Sequence, residues 1–310
     1  MPPKHNDFLN ALKQAQISYE TGLSMAAKTT FRIGGKVQYA AFPSSREELL
    51  RLFDLCREAD IPCALVGNGS NLLWDDDDFF GCVIFLGNMK SVTVCDDTVC
   101  AEAGARLSAV CTAARDAGLS GLSFAYGIPG SVGGAVYMNA GAYDGEVGQN
   151  IQSVTCYDLS VRKTVTFPKA ECAFGYRTSV FAQKRKNAVI LGAEWKLAFG
   201  DRIQIRDEME AYIARRREKQ PLEYPNAGSA FKRYPGYFTA KLIDEAGLKG
   251  YSIGGAQVSE KHAGFIINRG DATANDVRAL LSEIEQRIEA RYGIQIEPEI
   301  RTREDCLLTL

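Results

Sequence analysis

Five glycines fall within the fifteen residues GIPGSVGGAVYMNAG at 127–141, and two more within GNGSN at 67–71. Glycine lets the backbone approach a ligand closely and turn its N–H groups inward, as a diphosphate requires. Ser70, Asn71 and Ser131 add small donors to the same stretches. Either cluster alone reads as tight turns; two in one chain point to a large phosphate-bearing cofactor. Their spacing narrows the fold. Leu72 stands where G-x-G-x-x-G needs its third glycine, and no Walker lysine is present. A cofactor held here is held neither in the Rossmann nor in the P-loop manner.

The chain around these clusters divides by texture. Residues 44–60, SSREELLRLFDLCREAD, predict a helix capped by Ser44 or Ser45, with Glu47 or Glu48 three residues on and apolar positions 49, 50, 52, 53 and 55 on one face. With VQYAAFP before it and CALVG after it, it makes a strand–helix–strand opening and a small α/β unit over residues 1–80. Residues 81–200 alternate short strands (82–86, 91–95, 98–103, 151–157, 161–167, 188–198) with one helix at 107–117. Residues 201–310 return to helices, at 202–219, from Tyr237 to Gly247 and from Thr273 to Tyr292, with strands at 264–267 and 294–301. The class is α+β in three units. Four aspartates at 75–78 read as a solvated loop edge.

Net charge is −2, so no basic field recruits nucleic acid or a membrane. No apolar run approaches the roughly 20 residues of a membrane helix, and MPPKHNDFLNALKQAQ lacks a signal-peptide core; a cytoplasmic protein is expected. Nothing demands an oligomer, so a monomer is expected. None of the nine cysteines forms C-x-x-C or stands at zinc spacing from the two histidines, His5 and His262. They read as reduced core residues, with no metal.

Three polar residues stand out. Arg177 lies in FGYRTSVF, where a strand arginine with its stem on the core is as good a reading as a functional cation. Ser229, between Gly228 and Ala230, has room for a ligand but no histidine beside it, so it is no ordinary triad nucleophile; alone it reads as a turn serine. Glu299, in IEPEIR, reads alone as a solvent-facing strand carboxylate.

Taken in order, GNGSNLL, GIPGSVGGAVYMNAGAYDGEV, FGYRTSVF, KQPLEYPNAGSAFKRYPG, GGAQVSEKHAGFIINRG and EPEIR resemble the UDP-N-acetylenolpyruvoylglucosamine reductase (MurB) family from about Thr29 to Arg301. The resemblance implies a three-domain flavoprotein. Two domains bind FAD in the vanillyl-alcohol-oxidase/PCMH manner, and an α/β domain binds the UDP-sugar. Residues 172–190 lack the tyrosine-bearing insertion of one subtype, which implies the shorter form.

The implied reaction passes hydride from NADPH through non-covalently bound FAD to C3 of an enolpyruvyl ether, and a proton to C2. Arg177 then stabilises developing charge, a protonated Glu299 works beside it, and Ser229 donates the proton, with Lys232 and Arg233 as nearby cations. Gly67, Asn68, Gly69, Ser70, Asn71, Gly130, Ser131, Gly133 and Gly134 are the implied FAD contacts; Lys219 and Arg233 are the implied substrate contacts. His262 is left between a structural role and a ligand role. An FAD-dependent sugar or alcohol oxidase and a catalytically silent sugar-nucleotide binder are the competing readings.

Overall fold

The computed structural model describes residues 3–184 and 187–310, and the side chain of His5 lies outside what it describes. Helices and three principal sheets alternate along the chain, so the α+β class expected from sequence is found.

The first sheet has the order Tyr19–Ser24, Lys36–Ala41, Phe79–Phe85, Cys63–Val66 and Leu307–Leu308. Its three inner strands are parallel, and such strands need cover on both faces. The sequence supplies it by alternation. Tyr39, Ala41, Cys63, Cys82 and Ile84 face the largest core, with the helix Arg46–Glu58. Val37, Ala40, Ala64, Val66, Val83 and Phe85 face a smaller one with Trp74 and Met25. Ser45 is the cap of that helix, its hydroxyl accepting from the Glu48 amide.

The second sheet is wholly antiparallel, in the order Lys163–Pro168, Ile151–Asp158, Ala188–Lys196, Thr98–Glu102 and Val92–Cys95. Its inward residues, among them Val154, Cys156, Ile190 and Trp195, join the largest core, so the first two sheets share one interior. The third sheet joins Asn226–Ser229, Phe265–Asn268, Ala256–Val258 and Ser252–Ile253. It packs under the helix Ala274–Tyr292, which has a Thr273–Asp276 capping box and a left-handed Gly293 at its end.

Three features depart from the sequence expectation. Residues 294–301 are not a strand: only Arg301–Thr302 pairs, in parallel with Leu72–Leu73, and Pro298 bridges Phe231. The tetra-aspartate is not simply a solvated edge. Asp75 is buried and holds Arg278 and Arg303, and Asp76 accepts from the Ala274 amide at the start of a helix 198 residues away. The helix Arg202–Lys219 sets Ile205 and Met209 into the core shared by the first two sheets.

Candidate active site

The strand Cys63–Val66 runs into GNGSN, and this loop locks against the second glycine cluster. A Cβ on Gly67 would lie 2.4 Å from Ser131 Oγ, and Asn68 Nδ2 donates to the Pro129 carbonyl at 2.5 Å. Gly69 has φ +59°, and a Cβ there would meet the Lys28 carbonyl at 2.4 Å, so only glycine closes this turn. Ser131 caps the short helix Val132–Tyr137. Gly133 donates its amide to the Ala103 carbonyl, just past the strand Thr98–Glu102, and a Cβ there would lie 3.1 Å from Ala103 Cβ, so a glycine lets the helix sit close to that segment. All nine expected cofactor residues line one cavity of about 510 Å³.

Arg177, Ser229 and Glu299 line the same cavity. Arg177 is not in a strand. Gly175 and Thr178 exchange backbone hydrogen bonds around Tyr176 and Arg177, and Arg177 takes a left-handed φ of 53°, costly for a non-glycine residue. Neighbours fix the turn: buried Asn139 donates to the Gly175 carbonyl at 2.9 Å, and Ser179 Oγ to the Tyr137 carbonyl at 2.6 Å. The turn brings Arg177 Nε to 2.5 Å from Glu299 Oε1, and its Nη2 to 3.1 Å from the Gly141 carbonyl.

Glu299 is buried, not solvent-facing. Asn71 Nδ2 donates to its carbonyl at 3.1 Å, and its amide donates to Ala230 at 2.8 Å, so one residue joins the glycine loop to the Ser229 segment. Burial pushes its carboxyl above the usual range, against the opposing pull of Arg177, Lys232 and Arg301. The close arginine lowers the cost of ionisation without cancelling the loss of water.

Ser229 ends the strand Asn226–Ser229, opposite Phe265, where the ladder is irregular and Gly228 has φ +81°. A Cβ on Gly228 would meet nothing within 4 Å, so the approach to the serine is open. Lys232 is paired with Glu297 at 2.7 Å, and the Arg233 guanidinium stacks 5.1 Å from the Phe238 ring. Neither they nor Lys219 lines the cavity; Arg216 and Arg301 do. His262 Nδ1 accepts from the Gly264 amide at 3.1 Å, its ring stands edge-on to Phe265, and burial pushes its pKa down.

Arg216 and Gln220 are missed by the sequence reading. Arg216 donates to the Gly127 carbonyl and lines both the cavity and an adjoining one of about 540 Å³, where Arg32, Arg217 and Tyr224 also lie. The run RRR at 215–217, at the end of a helix, was its only signal. Gln220 Oε1 is buried without a hydrogen-bond partner among the described residues, and Gln220 lines the cavity. A buried orphan of this kind costs about 1–3 kcal/mol unless a ligand satisfies it. Gly130 and Gly134 have nothing closer than 3.7 and 3.5 Å to an added Cβ, so bare backbone faces ligand space. These features fit a bound flavin dinucleotide.

Comparison with known proteins agrees. The family described as "FAD binding domain" matches residues 37–160, and that described as "UDP-N-acetylenolpyruvoylglucosamine reductase, C-terminal domain" matches 220–303. The chain is 45% identical to the UDP-N-acetylenolpyruvoylglucosamine reductase of Syntrophomonas wolfei over 89% of its length and 92% of the relative's. It is 45% identical to that of Caldicellulosiruptor bescii over 95% and 94%. The solved reductase of Thermus caldophilus is similar with a TM-score of 0.75 at 32% identity, over 92% of this chain and 98% of that one. With two glycine loops, an arginine–glutamate pair and a serine meeting in one cavity, the chain belongs to the UDP-N-acetylenolpyruvoylglucosamine reductase family.

Proposed function

We propose that the protein reduces the enolpyruvyl ether of UDP-N-acetylglucosamine to UDP-N-acetylmuramate for peptidoglycan synthesis, with NADPH as reductant and FAD as cofactor. The observation that carries the site assignment is the convergence of Arg177, Glu299 and Ser229 on the cavity lined by the glycine loops. Residues 1–80 and 81–200 are assigned to the cofactor and 201–310 to the sugar nucleotide, save the helix Arg202–Lys219 and the strand Leu307–Leu308, which pack with the first two sheets.

When bound and reduced by NADPH, FAD would supply a hydride to C3 of the substrate. The chain's own residues manage the charge and the proton. Reduction at C3 leaves negative charge at C2, spread into the carboxylate. Arg177 sets a fixed cation beside that charge, and its turn and the Gly141 carbonyl hold it there before substrate arrives. Glu299 stands next to the arginine, and burial raises its carboxyl, which favours the protonated form that a group beside a developing negative charge calls for. Ser229 gives its proton to C2, and of the cavity's cations Arg177 and Arg301 ease the resulting alkoxide. The adjoining cavity, with Arg216 and Arg217, adds cations for the UDP diphosphate beside the Lys219 and Arg233 contacts expected from sequence.

No described helix is long and apolar enough to cross a membrane. We place the enzyme in the cytoplasm, where NADPH and UDP-sugars are, acting as a monomer on a small-molecule substrate. Anaerobic NADPH should bleach the flavin spectrum, and the enolpyruvyl sugar should restore it. A protein that stays reduced with this sugar but reoxidises in oxygen to give peroxide would instead be an oxidase.

A further inference from the structure

Three of the nine cysteines converge at the end of the first sheet away from the glycine loops. Cys63 opens its strand, about 13 Å along it from Gly67. It stands in register beside Cys82 on the neighbouring parallel strand. Cys56 comes from the last turns of the helix Arg46–Glu58 that packs on this face. All three are buried, and their sulfurs lie within 4.8 Å of one another.

Apolar filling alone would need cysteine-sized volume here, but three convergent thiols are also a ligand set. Charge decides which ion they suit. No histidine or carboxylate among the described residues joins the trio. Zinc would lack its fourth ligand and, with three thiolates, would leave a net negative charge in an apolar core. A monovalent ion would leave more, and uncompensated buried charge costs several kcal/mol. A trivalent centre with three thiolates is neutral.

We propose that Cys56, Cys63 and Cys82 form a binding site for trivalent arsenic, taken up as neutral arsenous acid. Three As–O and three S–H bonds break, three As–S bonds form, and the thiol protons leave with the hydroxyls as three waters. Arsenic stays trivalent and no electrons move. Bonding to one central atom draws the three sulfurs closer than their present spacing, a contraction that rotation about the cysteine side-chain bonds can supply. Pro62, next to Cys63, is exposed, so local opening at the strand's start gives a short way in. Three thiols preset on one fold outcompete free monothiols through their high effective concentration. The product staples the helix to two strands, one of which runs into the Gly67–Asn71 loop.

The test is native mass spectrometry of the FAD-loaded, phosphine-reduced protein after incubation with sodium arsenite and excess monothiol. It should gain one arsenic and lose three hydrogens. X-ray absorption should find three sulfur neighbours and no oxygen on the arsenic. Cys56→Ala, Cys63→Ala and Cys82→Ala should each abolish the gain, and exposed Cys95→Ala should keep it. Where a core variant does not fold, the wild-type absorption spectrum decides alone. No adduct, an oxygen retained on arsenic, or an adduct surviving Cys63→Ala overturns the site.

Discussion

Arg177 Nε lies 2.5 Å from Glu299 Oε1, across 122 residues of chain, and both side chains are largely shielded from water. The pair joins the second sheet's turn to the segment that crosses from Ser229 to the glycine loop. Its geometry uses the planar guanidinium fork, with one edge on the carboxylate and another on Gly141. Arg177→Lys keeps a charge but not the fork. Its kcat should fall about 10²–10³-fold, the size of effect seen when one preorganised donor is lost. Steady-state kinetics at saturating substrate measures it, and a kcat within a few-fold of wild type would remove Arg177 from charge stabilisation.

Glu299 supplies the pH test. Its carboxyl is raised above the ordinary value of about 4.3, with burial as the main cause. The neutral form is therefore lost as pH rises through the raised value, and flavin reoxidation by substrate should decline on that limb. Glu299→Gln, which cannot ionise, should flatten the limb. Folding follows the same sign. A raised folded-state value contributes stability that is full below about 4.3 and lost as pH rises through the folded value. The variant should gain on wild type in denaturant midpoint as pH rises. Superimposable profiles for the two proteins would contradict the assignment.

Gly134 tests the cradle. A Cβ there meets no protein atom closer than Ser131 Oγ at 3.5 Å, so the backbone accepts a side chain at this point, and Gly134→Leu should obstruct the cofactor. The purified variant should be colourless, with FAD affinity weakened at least about tenfold, which is roughly 1.4 kcal/mol. Flavin fluorescence titration of the apoprotein reads this directly. Full FAD occupancy would place the cofactor elsewhere.

Asp75 tests how the third unit is fastened. Removing it leaves Arg278 and Arg303 without their shared carboxylate. Asp75→Ala should cost about 2 kcal/mol in urea unfolding, less than a fully buried pair because Arg278 is partly exposed. Exposed Asp77→Ala should stay within about 0.5 kcal/mol of wild type.

Much of this was legible because local chemistry and fold agreed. The helix at 46–58 was marked by its cap and apolar periodicity, and it forms with Ser45 as the cap; the helix expected from Thr273 to Tyr292 forms over 274–292. The two glycine clusters pointed to one large ligand from sequence, and they line one cavity. What the sequence hid was what distant partners decide. Asp75 looks solvated until Arg278 and Arg303 fold onto it. Arg177 looks like a strand residue because the turn that bends it is held by Asn139, 36 residues before Gly175. Glu299 alternates like a strand residue but is drawn in by Asn71 and Ala230. The Cys56–Cys63–Cys82 trio has no ligand spacing at all and exists only through sheet register and helix packing.

The central claim is that Ser229 delivers the proton to C2, and stopped-flow separation of the two half-reactions in Ser229→Ala tests it most directly. NADPH should bleach the variant's flavin at a near wild-type rate, because that step needs no proton at C2. Reoxidation by the enolpyruvyl sugar should slow about 10²–10⁴-fold, the span that a positioned proton donor contributes. Reoxidation at the wild-type rate would show that another group carries the proton.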